Sequence, residues 1–149
     1  MNYEEILKVI APCGLNCGKC VAFHGGEIEG CSIRLKELLG NNFSSYADRL
    51  TSMDPVFENY RNFEELLEYF SEGRCGGCRE QGCLFQSCQV KDCIKERGVD
   101  FCFQCDRFPC DKHGFPEGLK KRWLENNLQM KDSGLEDYYD RIRDKPRYP

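Results

Sequence analysis

Apolar residues recur at helical spacing in several segments, and no segment alternates long enough to predict a strand of more than a few residues. Residues 1–11 and 32–40 predict short helices, the second capped by Ser32. The clearest helix begins at Asp54-Pro55, because Asp accepts hydrogen bonds from first-turn amides and Pro lacks the amide that would be left unpaired. The pattern predicts a mainly α fold with irregular cysteine-rich loops and few or no long strands.

The apolar positions of these helices are expected to form the core. The helix after Asp54-Pro55 ends at Gly73, and its stripe consists of Phe57, Tyr60, Leu67 and Phe70, with Val56, Phe63 and Leu66 beside it. Another helix begins at Pro116, with Leu119, Trp123 and Leu128 facing inward. Ser133 is the predicted cap of a last short helix, and residues 144–149 are expected to fray.

Three segments follow from this pattern. Residues 1–73 form an N-terminal cysteine loop plus a helical lobe, residues 74–115 a cysteine-rich metal-binding module, and residues 116–149 C-terminal helices that pack on the rest. With 149 residues in total, we expect one small compact unit.

The composition calls for cross-links. Hydrophobic residues make up 40% of the chain, but 12 of them are cysteines, so the apolar core is thin. The N-terminus has no basic region followed by an apolar run, and no segment is long enough to span a membrane, so we expect a cytoplasmic protein. Disulfides do not persist in a reducing cytosol, which favours metal–thiolate bonds over six disulfides.

All 12 cysteines are candidate metal ligands, and they fall into three groups. Three C-x2-C pairs, CGKC, CGGC and CFQC, turn the backbone so that two sulfurs converge on one ion. Tetrahedral Zn²⁺ with four thiolates is the simplest product, and 12 cysteines make three such sites. The groups are Cys13, Cys17, Cys20 and Cys31; Cys75, Cys78, Cys83, Cys88 and Cys93; and Cys102, Cys105 and Cys110.

The division of these ligands into sites has alternatives. Cys13, Cys17, Cys20 and Cys31 make a natural first site. The other eight divide in order, with Cys75 to Cys88 in one site and Cys93 to Cys110 in the other, or they interleave as in cross-braced zinc folds. His24 is an alternative to Cys31 and His113 to a cysteine near Cys110, although both are expected to be surface or supporting residues.

A [4Fe–4S] cluster is the rival cofactor, because iron–sulfur clusters also take four thiolates. The leading function is therefore a binding or adaptor protein with structural zinc, and the alternative is an iron–sulfur electron carrier or an accessory subunit of a redox enzyme. A thiol redox enzyme is a third hypothesis, but no catalytic constellation stands out, and no catalytic residue is assigned.

Charge disfavours nucleic acid as a partner. The chain carries a net charge of −4, and each four-thiolate zinc site adds about −2. Affinity for DNA or RNA depends on positive charge that releases counterions. Arg74, Arg79 and Arg107 are the candidates for a local basic patch, and a protein partner stays open.

The ordered motifs resemble the family called domain of unknown function 3795. They are CGLNCGKC near the start, CGGC at 75–78, CQVKDCIKERGV at 88–99, FCFQCDRFPC at 101–110 and then NNLQMKDSGLEDYY. The resemblance implies a soluble prokaryotic protein with metal-binding cysteines, usually taken to hold zinc, and it implies no activity. All cysteines except Cys31 and Cys83 fall on family-like positions.

Overall fold

Helices and connecting loops make up the computed structural model, which describes residues 1–80 and 83–148. In these residues no strand forms, and Ile10 and Asn16 make an isolated antiparallel bridge. Short 3₁₀ helices span Cys17–Lys19, Pro55–Asn59 and Cys102–Gln104. The prediction of a mainly α fold is confirmed. The α-helices are α1 (Tyr3–Val9), α2 (Glu27–Leu39), α3 (Phe43–Leu50), α4 (Tyr60–Ser71), α5 (Val90–Arg97), α6 (Glu117–Ser133) and α7 (Leu135–Ile142).

The first two helices differ in how well their starts were predicted. Helix α1 lies within the predicted segment, and Asn2 and Glu5 form a reciprocal capping box at its start. The prediction that Ser32 caps α2 is wrong, since this helix begins five residues earlier, at Glu27. The Ser32 hydroxyl instead donates to the Ile28 carbonyl at 2.7 Å inside the helix. Cys31 therefore lies on a helix and not in a loop.

Asp54 is a cap, as predicted, but of a different element. Its carboxylate accepts from the Val56 amide at 2.9 Å and begins the 3₁₀ helix, while α4 itself begins at Tyr60. Of the stripe expected in the core, Leu67 is buried, whereas Val56, Phe63 and Leu66 are exposed. The core assignment is therefore wrong for these three side chains.

The C-terminal helices differ from the prediction in which residues face inward and where the last helix begins. Trp123 is buried as expected, but Leu128 is 47% exposed. Asn127 and Met130 occupy the inward positions of α6 instead. Ser133 is the last residue of α6, and Gly134, with φ at +85°, begins α7, so the Ser133 cap is wrong.

The tail also departs from the expectation of fraying. The Arg147 guanidinium donates to the Asn16 carbonyl at 2.9 Å, and Arg122 donates to the Arg147 carbonyl at 3.1 Å. These two bonds fix the chain around residue 147 against the N-terminal loop. Pro149, also expected to fray, lies outside the described residues.

The chain divides into two compact units. The cysteine unit comprises Met1–Lys19 and Cys75–Pro149, and the helical unit comprises Cys20–Arg74. The boundary thus falls after Lys19, inside the predicted N-terminal lobe. The described residues include no helix with the length and apolar character needed to cross a membrane.

Each unit has its own packing. In the helical unit, α2 packs against α4, and Ala47 and Leu67 are buried. The main cluster of the cysteine unit joins α1, α6 and α7 and consists of Ile6, Ile10, Phe101, Met130, Leu135 and Tyr138. Two further clusters centre on Trp123 with Cys13 and on Cys88 with Ile94. Cysteines therefore form part of the core.

Candidate metal centre

All 12 cysteines lie within the described residues, and none of them forms a disulfide bond there. Ten belong to the cysteine unit, whereas Cys20 and Cys31 belong to the helical unit. Among the described residues, no group of three or more Cys, His, Asp or Glu side chains is arranged as a metal site. The thiols nevertheless gather in two places, described in turn below.

The first gathering is a cavity lined by four cysteines. Its volume is about 20 Å³, which is room for about one water-sized particle. The other walls are mostly apolar, from α5, α6 and the loop between them. We call this group the four-cysteine cavity, and its thiols are Cys93, Cys102, Cys105 and Cys110.

The CFQC turn places two of these thiols. Cys102 opens a 3₁₀ turn, and the Cys105 amide donates back to the Cys102 carbonyl at 3.1 Å. The Gln104 side-chain oxygen accepts from the amides of Asp100 and Phe101 at 2.9 and 3.0 Å. Gln104, the residue before Cys105, thus fixes the backbone that enters the turn.

Asn127 fixes the same turn from α6. Its side-chain oxygen accepts from the Phe103 amide at 3.0 Å, and its side-chain nitrogen donates to the Trp123 carbonyl at 3.0 Å. Asn127 is fully buried, so both bonds are shielded from water. The sequence analysis missed this residue, although a polar side chain one turn after Trp123 on the inward face of a helix is a detectable signal.

Burial sets the protonation state of Cys102. It raises the pKa of this thiol to about 11, and the nearby thiols of Cys110, Cys93 and Cys88 raise the pKa further, while the Trp123 indole opposes them. Crowded buried thiols resist ionisation because each thiolate repels the next and none is hydrated. A bound cation would reverse that preference.

The indole nitrogen of Trp123, a residue that lines this cavity, is buried and makes no hydrogen bond within the described residues. The indole nevertheless lowers the pKa of Cys102. A buried donor without a partner costs roughly 1–3 kcal/mol. A thiolate at Cys102 would be a better acceptor for this N–H than the neutral thiol.

The second gathering joins the N-terminal loop to the CGGC segment. We call it the thiol cluster, and it consists of Cys13, Cys17, Cys78 and Cys83. The Cys78 thiol interacts with Cys17, which raises the pKa of Cys78, and with Cys83, which lowers it by a smaller amount. Burial raises the pKa of Cys13 to about 11. Within CGGC, Gly77 has φ at +92°, in the left-handed region that glycine adopts without strain.

Backbone amides also approach this cluster. The Phe85 amide donates to the Cys83 sulfur at 3.4 Å and lowers the pKa of that thiol, against the larger raising effects of Cys78 and burial. Amide donors of this kind stabilise thiolates. The cluster therefore has donors in place for at least one ionised sulfur.

Arg79, one residue after CGGC, bonds this segment to backbone carbonyls elsewhere in the cysteine unit. Its guanidinium donates to the carbonyls of Leu7, Ile10 and Asp100 at 2.8, 2.6 and 2.8 Å, and it lies over the Phe101 ring. Burial lowers the pKa of Arg79, and Asp100 and the Cys78 and Cys17 thiols oppose that shift. This half-buried arginine, whose guanidinium is bonded to three carbonyls, does not contribute to a basic surface patch.

The two histidines differ in their fitness as ligands. His113 is 6% exposed, so of the two expected roles, surface or supporting residue, the surface role does not apply to it. Its Nδ1 accepts from the Phe115 amide at 2.9 Å, which places the proton of the neutral ring on Nε2. A protonated Nε2 cannot bind a metal. His24 is exposed, and its Nδ1 lies 3.1 Å from the Glu29 carboxylate, so in the neutral ring Nδ1 donates to Glu29 and Nε2 is the possible ligand atom.

The structure brings together some of the predicted ligand sets and not others. Cys93, Cys102, Cys105 and Cys110, the last set of the sequential division, line one cavity. Cys17 instead approaches Cys78 and Cys83, a grouping that neither division predicted, since both kept Cys17 in the first site. Cys88 lies in the core with Val90 and Ile94, and Cys75 is buried. In the helical unit, Cys31 is exposed.

Comparison with known proteins gives one match. Residues 9–114 match a family model described as "Protein of unknown function (DUF3795)". No curated protein and no solved structure matches the chain. The matched segment contains both gatherings of cysteines.

Proposed function

The chain belongs to the DUF3795 family of proteins of unknown function, and we propose that it is a metal-binding protein stabilised by structural zinc. Cys93, Cys102, Cys105 and Cys110 would hold one Zn²⁺ through their sulfurs. The observation that carries this proposal is the four-cysteine cavity, which has room for about one water-sized particle. Four thiols around a space of that size suit the tetrahedral zinc sites found in structural domains.

The electrostatics of the cavity support a cation. Burial and neighbouring thiols raise the pKa of Cys102 to about 11 in the absence of metal. A divalent ion would offset thiolate charge that burial otherwise forbids. The resulting site would carry about −2, and Arg97 and Lys112, which also line the cavity, would balance part of it. The Trp123 indole would gain a thiolate acceptor.

Zinc bound here would act as a cross-link between elements. Cys93 lies on α5, whereas the other three ligands lie in the loop between α5 and α6. The apolar core is thin, so metal-binding free energy would contribute directly to folding. The thiol cluster is a second candidate zinc site, with Cys13, Cys17, Cys78 and Cys83 as its ligands.

The cellular role that we infer is binding or scaffolding. A catalytic cysteine needs a lowered pKa, whereas the pKa values of Cys13, Cys78, Cys83, Cys88 and Cys102 are all raised. We infer an adaptor with a protein partner in the cytoplasm, where free thiols persist. The net charge of −4 and the bonding of Arg79 to three backbone carbonyls disfavour nucleic acid as that partner.

The rival cofactor is a [4Fe–4S] cluster on the same thiols, which would make the protein an electron carrier or an accessory redox subunit. Thiolate ligands suit iron as well as zinc. A cluster of four irons and four sulfides is far larger than one ion, however. The cavity would have to expand well beyond its volume of about 20 Å³ to admit it.

Metal analysis tests the proposal. The full chain, made without a metal-affinity tag and purified anaerobically with a reductant, should be colourless and contain at least one zinc ion per chain. Cys105→Ser should lose about one zinc ion. Cys31→Ser is the matched control, because Cys31 is exposed on α2 and lines neither gathering. A folded protein with no bound metal, or a brown protein with labile sulfide, would overturn the zinc assignment.

A further inference from the structure

A pocket of about 270 Å³ lies in the cysteine unit, away from the four-cysteine cavity. Three segments line it: the loop at residues 14–16, one face of α6, and the end of α7 with the following tail. Its volume approaches the lower end of the range for small-molecule sites, roughly 300–1,000 Å³.

All charged side chains that line this pocket are basic. Arg122, Lys145 and Arg147 line the pocket, and no Asp or Glu does. Among the described residues, neither Arg122 nor Lys145 forms an ion pair, whereas their neighbours Lys121 and Arg143 pair with Glu125 and with Asp140 and Asp144. The molecule as a whole carries a net charge of −4, so the basic pocket is a local feature.

Hydrogen bonds hold the walls in place. The Tyr138 hydroxyl, at the base of α7, donates to the Gly14 carbonyl at 2.6 Å. Arg147 donates to the Asn16 carbonyl at 2.9 Å, and Arg122 donates to the Arg147 carbonyl at 3.1 Å. The pocket is therefore formed by the fold itself, which lowers the entropic cost of binding.

The close approach of two walls depends on one glycine. Gly14 has φ at +83°, and a Cβ at this position would clash with the Asn126 side chain on α6. A side chain here would force the loop or Asn126 to move, and the positive φ would strain it. The glycine of the CGL motif thus serves this pocket as well as the cysteine beside it.

We propose that this pocket binds a small organic dianion, a phosphate monoester, between Arg122 and Lys145. A guanidinium presents paired N–H donors that match phosphate oxygens, and an ammonium adds a point charge. The Asn126 amide supplies a further polar group, while Leu15 and Ile142 provide an apolar wall for the organic part.

Arg147 has a second electrostatic role. Its charge lowers the pKa values of Cys13 and Cys83, against the larger raising effects of burial at Cys13 and of Cys78 at Cys83. Part of its charge therefore serves the thiol cluster. The proposal rests on Arg122 and Lys145, whose charges are not matched by an acidic side chain.

Isothermal titration calorimetry on the metal-loaded full chain tests this proposal. The titrants are inorganic phosphate, phenyl phosphate and succinate. Phenyl phosphate should bind at low salt more tightly than the other two, and its affinity should fall as salt is added. Lys145→Gln and Arg122→Gln should each weaken binding by at least about tenfold. Lys145→Gln removes no hydrogen bond that the structure shows, so it tests binding without a loss of fold.

Lys121→Gln and Arg143→Gln are the matched controls, since each removes the same charge from a neighbouring position outside the pocket. They should change the affinity by less than about twofold. Equal weakening by pocket and control variants would mean attraction by overall charge and would overturn the proposal. So would the absence of phenyl phosphate binding, or equal or tighter binding of inorganic phosphate or succinate.

Discussion

Replacement of Asn127 by alanine tests whether the CFQC turn depends on α6. The fully buried amide bonds the Phe103 amide and the Trp123 carbonyl, both at 3.0 Å. The change removes two hydrogen bonds, worth about 1 kcal/mol each, and leaves the Phe103 amide without an acceptor, at a further cost of about 1 kcal/mol. Alanine regains roughly 0.6 kcal/mol of helix propensity. The net expected loss is about 2 kcal/mol in the free energy of unfolding.

Denaturant unfolding of the zinc-saturated protein measures this loss, and a fall in the melting temperature of about 6 °C should accompany it. Gln129→Ala is the matched control, because Gln129 lies on the exposed face of the same helix. Zinc affinity should also fall in Asn127→Ala, since this side chain holds the turn that carries Cys102 and Cys105. A loss below about 0.5 kcal/mol, within the range of ordinary surface substitutions, would refute the reasoning.

Three more predictions concern the core of the cysteine unit. Burial raises the pKa of Tyr138 above its ordinary value of 10.0. Because the unfolded state therefore ionises first, the free energy of unfolding should fall as pH rises above about 10. Tyr138→Phe should remove this contribution of Tyr138 to the fall, as measured by unfolding at several pH values, and the same pH profile in the variant would contradict the prediction. Trp123 is the single tryptophan and lines the four-cysteine cavity. Removal of the metal with a chelator should therefore change the tryptophan fluorescence. A spectrum that metal loss leaves unchanged would mean that the metal is bound elsewhere. Met130→Ala should lower the free energy of unfolding by about 2–5 kcal/mol, because Met130 is buried. Leu128 is exposed, so Leu128→Ala should lower it by well under 1 kcal/mol. Equal losses in thermal or chemical unfolding would contradict this orientation of α6.

Local signals in the sequence were sufficient for much of the helical framework. Asp54 caps a helix start because its carboxylate reaches an amide two residues later, which is a purely local interaction. Helix α1 likewise follows from Asn2 and the apolar residues after it. Ser32 misled the prediction because serine also bonds a carbonyl one turn back, and that is what it does inside α2.

Exposure of apolar residues was harder to predict. Helical periodicity identifies an apolar face, but not how much of that face another element covers. On α4, Leu67 is buried while Phe63 and Leu66 on neighbouring positions are exposed. On α6, the reverse error occurred, since the polar Asn127 is buried because it satisfies two backbone groups of other residues.

The convergence of some cysteines was predictable from the sequence, but most of their partners were not. C-x2-C spacing identifies sulfurs that can converge, and CFQC does bring Cys102 and Cys105 to one cavity. The association of Cys17 with Cys78 and Cys83 spans about 60 residues of chain, and no local pattern encodes it. The half-buried Arg79 depends on the carbonyls of Leu7, Ile10 and Asp100, which become its neighbours only in the folded chain.

X-ray absorption at the zinc edge tests the central claim most directly. The account predicts zinc in the reduced, tag-free protein, surrounded by four sulfurs at about 2.3 Å. In Cys105→Ser the zinc content should fall by about one ion per chain, and in Cys31→Ser it should not. A folded protein without zinc, or zinc coordinated mainly by oxygen and nitrogen, would contradict the account.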